Sequence, residues 1–83
     1  MDKEVVYVVA FQGMNGRMLK DRTKENNAMV TTSDITTAKQ FRSLQTAELA
    51  IREDSLVTKL AAYKPIVRTV TIYRNGKKEM VIV

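Results

Sequence analysis

The longest apolar stretch of the chain, Val5 to Phe11 in VVYVVAFQ, is β-branched or aromatic at both odd and even positions. A strand with one wet face alternates apolar and polar residues, so a run apolar on both faces predicts an interior strand covered on both sides. Gly13-Met14-Asn15-Gly16 follows and supplies residues that tolerate positive φ, which predicts a chain reversal. RMLKDRT, Arg17 to Thr23, is more polar and reads as the return strand, nearer an edge where its charges discourage further pairing. Lys24 to Asn27 reads as a loop and Ala28 to Thr32 as a third short strand.

The spacing changes in DITTAKQFRSLQTAELAI, Asp34 to Ile51. Asp34 can cap a short helical turn that points Ile35 and Ala38 inward, with Phe41 following as an anchor. Ser43 has the side chain of a second N-cap, and Leu44, Ala47 and Ile51 then share one helical stripe, predicted to face the core. An unbroken helix as far as Tyr63 would carry Ala62 on that stripe and Leu49, Leu56 and Leu60 on the opposite side. A small domain rarely buries a helix on both sides. Either the helix breaks near Glu53-Asp54-Ser55, with Ser55 recapping a second short helix, or the second stripe meets a partner. Pro65 ends helical structure in both cases, because the residue before proline is pushed towards extended geometry.

Beyond it, Ile66 to Tyr73 alternates, and Asn75-Gly76 is a strong hairpin signal leading to a return strand over Lys78 to Val83. A two-residue turn sets Val70 opposite Val81, Thr71 opposite Met80 and Thr69 opposite Ile82. It also sets Arg74 opposite Lys77, a like-charge pair that a three-residue turn with a bulge would relieve. The predicted fold is α+β: one domain, 1–83, in which an N-terminal and a C-terminal hairpin form an antiparallel sheet. A central helix, whole or broken into two, packs on one of its faces. The apolar MVIV strand predicts cover by the helix or by a second copy of the chain. Leu49, Leu56, Leu60, Met80 and Ile82 are the candidate self-association residues.

Composition narrows the chemistry. The 83 residues include no cysteine, so neither disulfides nor thiolate metal sites are available, and a reducing cytoplasm is the expected compartment. Met1-Asp2-Lys3-Glu4 is mixed in sign, unlike the start of a secretory signal, and the apolar run is far below the ~20 residues of a membrane helix. Histidine is absent too, which removes the usual general base and the commonest metal ligand. Glu53 and Asp54 diverge on a helix by about 100° and make no metal site. The glycines form neither a dinucleotide fingerprint nor a Walker loop. The expectation is a protein that is not an enzyme, with no catalytic residues, cofactor or metal.

The net charge of +5 favours an anionic partner without demanding one. Around the first hairpin, Lys20, Arg22 and Lys24 would share one face of a strand, with Arg17 beside them, and could track phosphates. Around the second, Arg68, Tyr73, Arg74, Lys77 and Lys78 flank the Asn-Gly tip and could meet nucleic acid or an acidic protein surface. The third candidate is the hydroxyl-rich Thr31 to Thr37 with the start of the following helix. Ser33, Thr37, Lys39, Arg42 and Ser43 could hold a small anion, such as a nucleotide phosphate, against unpaired helix N–H groups. Simple capping is the plainer reading of the same residues.

The segment Ala38-Lys39-x-Phe41-x-Ser43-x-x-x-Ala47, after a strand with a glycine turn and before a strand opening at Pro65, resembles small accessory proteins of bacteriophages from Gram-positive hosts. The resemblance implies a protein that works by binding, for example by inhibiting a host protein or sequestering an anionic nucleotide signal in a defence pathway. It carries no binding residues over. A nucleic-acid binder using the basic hairpins is the alternative reading.

Overall fold

The apolar run at the start of the chain is the middle strand of the sheet. In the computed structural model, which describes residues 3–23, 29–73 and 79–82, β1 spans Lys3–Phe11. β2 (Arg17–Leu19), β3 (Thr31–Thr32), β4 (Pro65–Tyr73) and β5 (Glu79–Ile82) complete an antiparallel sheet in the order β3-β2-β1-β4-β5. Helices α1 (Leu44–Glu53) and α2 (Ser55–Thr58) lie between β3 and β4 in the chain. The chain is therefore α+β, as the hydrophobic pattern predicts. No helix among the described residues is long and apolar enough to cross a membrane.

Both faces of β1 are covered. Val6, Val8 and Ala10 on one face are buried with Met18, Ala38, Val70 and Ile72, and Ile35 and Met80 pack against them. Val9 and Phe11 on the other face are buried with Leu19 and Val57, closed over by Met14, Val30, Phe41, Ile51 and Leu60. The helices supply the second cover. Phe41 and Ile51 seat it, as the sequence predicts.

The middle of the chain enters the sheet itself. β2 pairs with β1 only where Ala10 meets Met18 and Phe11 meets Arg17, and then leaves it. The segment Ala38 to Phe41 wedges into the gap. Lys39 N–H donates to Leu19 C=O at 2.9 Å, and Phe41 exchanges both backbone hydrogen bonds with Tyr7, at 2.7 and 2.9 Å. Ala38 is small because it sits buried in that wedge. The Ala-Lys-x-Phe spacing that carries the resemblance is packing chemistry.

The helix breaks where the sequence places a break, but through a different cap. Asp54, not Ser55, is the hinge: its N–H ends α1 on Ala50 C=O at 2.9 Å. Its Oδ1 accepts from Leu56 N–H at 2.9 Å to open α2. The break turns Val57 and Leu60 inward, so Leu49, Leu56 and Leu60 form no second stripe, and Ala62 is exposed. Leu44 departs from its predicted inward position and is 47 % exposed. As the first residue of α1 it lies beyond the seat made by Ala47.

Two turns also differ from expectation. Lys64, before Pro65, is left-handed (φ 57°, ψ 70°) rather than extended. Its N–H returns to Ala61 C=O at 3.1 Å, and its own C=O takes the N–H of Gln12 at 3.2 Å. Those bonds tie the helical segment to the first turn and outweigh the local preference. In that first turn, positive φ falls on Asn15 and Gly16 and not on Gly13. Gly13 is needed for proximity, since a Cβ there would stand 3.1 Å from Tyr63 Cα and 3.3 Å from its carbonyl oxygen. Gly13→Ala is expected to cost ~1–3 kcal/mol, seen as a lower urea midpoint with unchanged slope, because backbone cannot yield as a side chain can.

The β4–β5 register differs from the two-residue-turn prediction by one position. Val70 faces Ile82, Thr71 faces Val81 and Ile72 faces Met80. A one-residue slip exchanges the two faces of a strand. The observed pairing matches apolar with apolar on the Val70 and Ile72 side, where the predicted one would have put Met80 and Ile82 opposite threonines. The Asn75-Gly76 turn lies outside the described residues.

Candidate functional site

The hydroxyl-rich stretch is internally satisfied. Asp34 N–H donates to Thr32 Oγ1 at 3.0 Å, Thr32 Oγ1 lies 2.8 Å from Thr37 Oγ1, and Thr37 donates to Asp34 C=O at 3.0 Å. Since Thr37 has spent its proton, Thr32 is the donor between the two, and the ring closes. Asp34 Oδ1 accepts from Thr36 N–H at 2.9 Å and from Thr36 Oγ1 at 2.7 Å, capping a 3₁₀ turn at Ile35–Thr37. Ser43 is used the same way. Its Oγ accepts from Thr46 N–H at 3.1 Å and meets Thr46 Oγ1 at 3.1 Å, while Thr46 Oγ1 donates to Ser43 C=O. Of the five candidate anion residues, Thr37 and Ser43 are therefore engaged in turns and caps. Ser33, Lys39 and Arg42 are exposed, and Lys39 Nζ stands 5.5 Å from the centre of the Phe41 ring. A cation over an aromatic face is held there by the ring quadrupole.

The two Thr36 hydrogen bonds hold the Asp34 carboxyl below its ordinary value near 3.8, the side-chain bond contributing most. The depressed group adds stability that is present above the unfolded value and lost as pH falls through the folded one. Thr36→Val removes the side-chain donor. The Asp34 carboxyl, followed by NMR, is expected to titrate at higher pH in that variant, nearer the usual aspartate range.

The basic strand face predicted for the first hairpin does not form. β2 ends at Leu19, Arg22 lies in a turn, and Lys24 is outside the described residues. Arg17 is spent on β3, its Nε donating to Thr31 Oγ1 and its Nη2 to Thr31 C=O, both at 3.0 Å. Lys20 is only 7 % exposed, beside Ala38. The wedge at Ala38 to Phe41 buries one end of the stripe that a regular strand would have shown. In the second hairpin, Arg68 and Tyr73 are exposed, while Arg74, Lys77 and Lys78 lie outside the described residues. Because Arg68 and Tyr73 differ by an odd number along β4, they stand on opposite faces of the sheet.

The candidate self-association residues are not one surface either. Leu60 packs in the core under the helices, Met80 packs on the other side of the sheet, and Leu56 is half-buried. Two of them stay open: Ile82 on β5 is 40 % exposed, and Leu49, on the side of α1 away from Ala47, is 40 % exposed as well. Gln45, Thr46, Glu48, Leu49, Ile51 and Arg52 line an open depression of about 810 Å³. Ala47 is the buried contact of this helix and Ser43 its cap, so the local sequence orients the helix and leaves Gln45, Thr46, Glu48, Leu49 and Arg52 exposed, while Ile51 is half-buried against the core. An exposed leucine among Gln, Thr, Glu and Arg side chains can serve as an apolar anchor for another protein. The sequence names Leu49 as a partner-facing candidate but groups it with Leu56 and Leu60, and not with the polar residues that surround it on α1. Among the described residues, no three of His, Cys, Asp and Glu come together.

Comparison with protein-family models, curated proteins and solved structures returns no match.

Proposed function

We propose that this chain is a non-enzymatic binding module that docks a protein partner on the outer side of α1. The observation that carries the reading is Leu49, 40 % exposed on the side of α1 away from the buried Ala47, in an open depression that Gln45, Thr46, Glu48 and Arg52 also line. The lack of histidine and cysteine in the sequence supports binding over catalysis. The resemblance of the Ala38 to Ala47 segment to phage accessory proteins supports a phage or mobile-element product that inhibits a host protein. A protein is favoured over a nucleotide as the partner, because the Thr37 and Ser43 hydroxyls are committed to internal bonds. It is favoured over nucleic acid because Arg17 and Lys20 are held within the fold.

The test is affinity capture from a bacterial lysate with the wild-type chain and with Leu49→Glu, then titration of the purified partner against both. The expected result is one retained protein whose affinity falls at least ~10-fold in the variant, since a charge in an apolar contact is left desolvated. Equal affinity for the variant moves the site off α1. A mobility shift of DNA or RNA that weakens steeply between two salt concentrations replaces the reading with nucleic-acid binding.

A further inference from the structure

The outer edge of β5 is built to pair with itself, and we propose that two copies of the chain join there as a two-fold dimer with one continuous sheet. The direction of the backbone groups follows from β1. Tyr7 exchanges its N–H and C=O with Phe41, on the side of β1 away from β4. Along a strand these groups alternate sides, so the even residues of β1 bond β4. In the observed register Val6 faces Val70 and Glu4 faces Ile72, so the even residues of β4 bond back to β1. The odd ones, Thr71 and Tyr73, are left for β5, where they face Val81 and Glu79. Met80 and Ile82 therefore direct their N–H and C=O groups outward, along the edge of the sheet.

One antiparallel register satisfies all four of these outward groups in both copies from within Glu79–Ile82. It puts Met80 opposite Ile82 of the second copy, with Val81 on the two-fold axis. Val81 then meets its own symmetry mate in a non-hydrogen-bonded pair, the position where facing side chains approach most closely. The rows of side chains agree with this pairing. On one face Ile72, Met80, Ile82 of the second copy and Val70 of the second copy run in sequence across the joint. On the other face the row is Val5, Thr71, Val81 and their symmetry mates. Val5 and Val81 are each 43 % exposed in the single chain, and Ile82 is 40 % exposed. An unrelated strand would have to match apolar rows on both faces, whereas a second copy supplies them by symmetry. Among the described residues, Glu79–Ile82 holds none of the prolines or lysines that commonly blunt an exposed edge.

This interface uses β5 and is independent of the α1 surface. Sedimentation and amide hydrogen exchange test it together. The wild-type chain is expected to sediment as a dimer that tightens with added salt, because each copy carries a net charge of +5. Met80 and Ile82 amides are expected to gain protection with protein concentration, while Glu79 and Val81 amides, which face β4, are protected throughout. Ile82→Pro removes an outward donor and leaves the β4 ladder intact, so the dissociation constant should rise at least ~10-fold with an unchanged circular dichroism spectrum. Val81→Glu places two carboxylates at the axis and should give a monomer. Leu49→Glu should leave the dimer as it is. A wild-type chain that is monomeric at its highest soluble concentration overturns the proposal and leaves the edge to a different protein's strand. Association that continues past two copies overturns it, as does a dimer indifferent to both β5 substitutions.

Discussion

Val57→Asp unfolds the domain at neutral pH. Val57 is fully buried against Val9, Phe11 and Leu19, with Ile51 and Leu60 closing around it. A carboxylate there has neither water nor a cation, and such a group costs several kcal/mol or takes up a proton instead. A domain of this size holds about 4–12 kcal/mol in total, so the loss consumes most of it. Circular dichroism at pH 7 should show an unfolded or barely folded chain. The pH dependence carries the signature. Burial raises the folded pKa of the new carboxyl above its unfolded value near ~3.9, so the protonated form is the one that fits. The damage is least below that unfolded value and grows as pH rises through the window up to the folded one. The paired control is Leu49→Asp on exposed α1, expected to shift the urea midpoint by less than ~0.5 kcal/mol equivalent. Equal effects of the two substitutions would contradict the helix break at Asp54, which is what sends Val57 inward.

Phe11→Ala is expected to cost ~3–5 kcal/mol, the usual range for emptying a buried phenylalanine site. Phe11 is fully buried, the largest of the fully buried side chains, and it sits at the end of β1 where β2, β4 and the helical layer all converge. The neighbours that would have to collapse into the space are held by other bonds. Gly16 N–H donates to Phe11 C=O at 3.1 Å, and the adjoining Gln12 is tied to Lys64. Little relaxation is available, so the value should fall towards the upper end. Equilibrium urea unfolding measures it. A loss below ~2 kcal/mol would mean that the site refills, and that the tie between the first turn and Lys64 is looser than its hydrogen bonds indicate.

The contrast between these residues shows where local pattern was enough. The doubly apolar run of β1 places it in the middle of the sheet because each face demands a cover, and a strand with two covers must be interior. Asp34 and Ser43 act as caps because their side chains reach only the N–H groups two and three residues on. Val57, by comparison, belongs to neither stripe of a continuous helix and becomes core only after the chain bends at Asp54. The hinge is chosen by competition between Asp54 and Ser55, two adjacent residues that can each cap a helix. The first wins because it can end one helix and begin the next.

The candidate surfaces were less legible for a related reason. Exposure of a charged side chain is decided by what lies over it, and the Ala38 to Phe41 wedge comes from a segment about twenty residues away from Lys20 in sequence, at the limit of what periodicity in a short window can report. Arg17 looked free because its acceptors, the hydroxyl and carbonyl of Thr31, lie 14 residues on. Leu44 reads as core because its spacing matches Ala47 and Ile51, but its place at the start of the helix leaves it 47 % exposed.

By itself the sequence determined the class of fold, the interior strand, the two caps and the lack of imidazole and thiol chemistry. These follow from alternation, from short-range hydrogen bonding and from composition, none of which needs a distant neighbour. The tertiary structure decided the β4–β5 register, the inward turn of Val57, the burial of Lys20 and the faces left open on α1 and β5. Each of those depends on which remote segment comes to lie against the residue, and a side chain's own spacing holds no record of that.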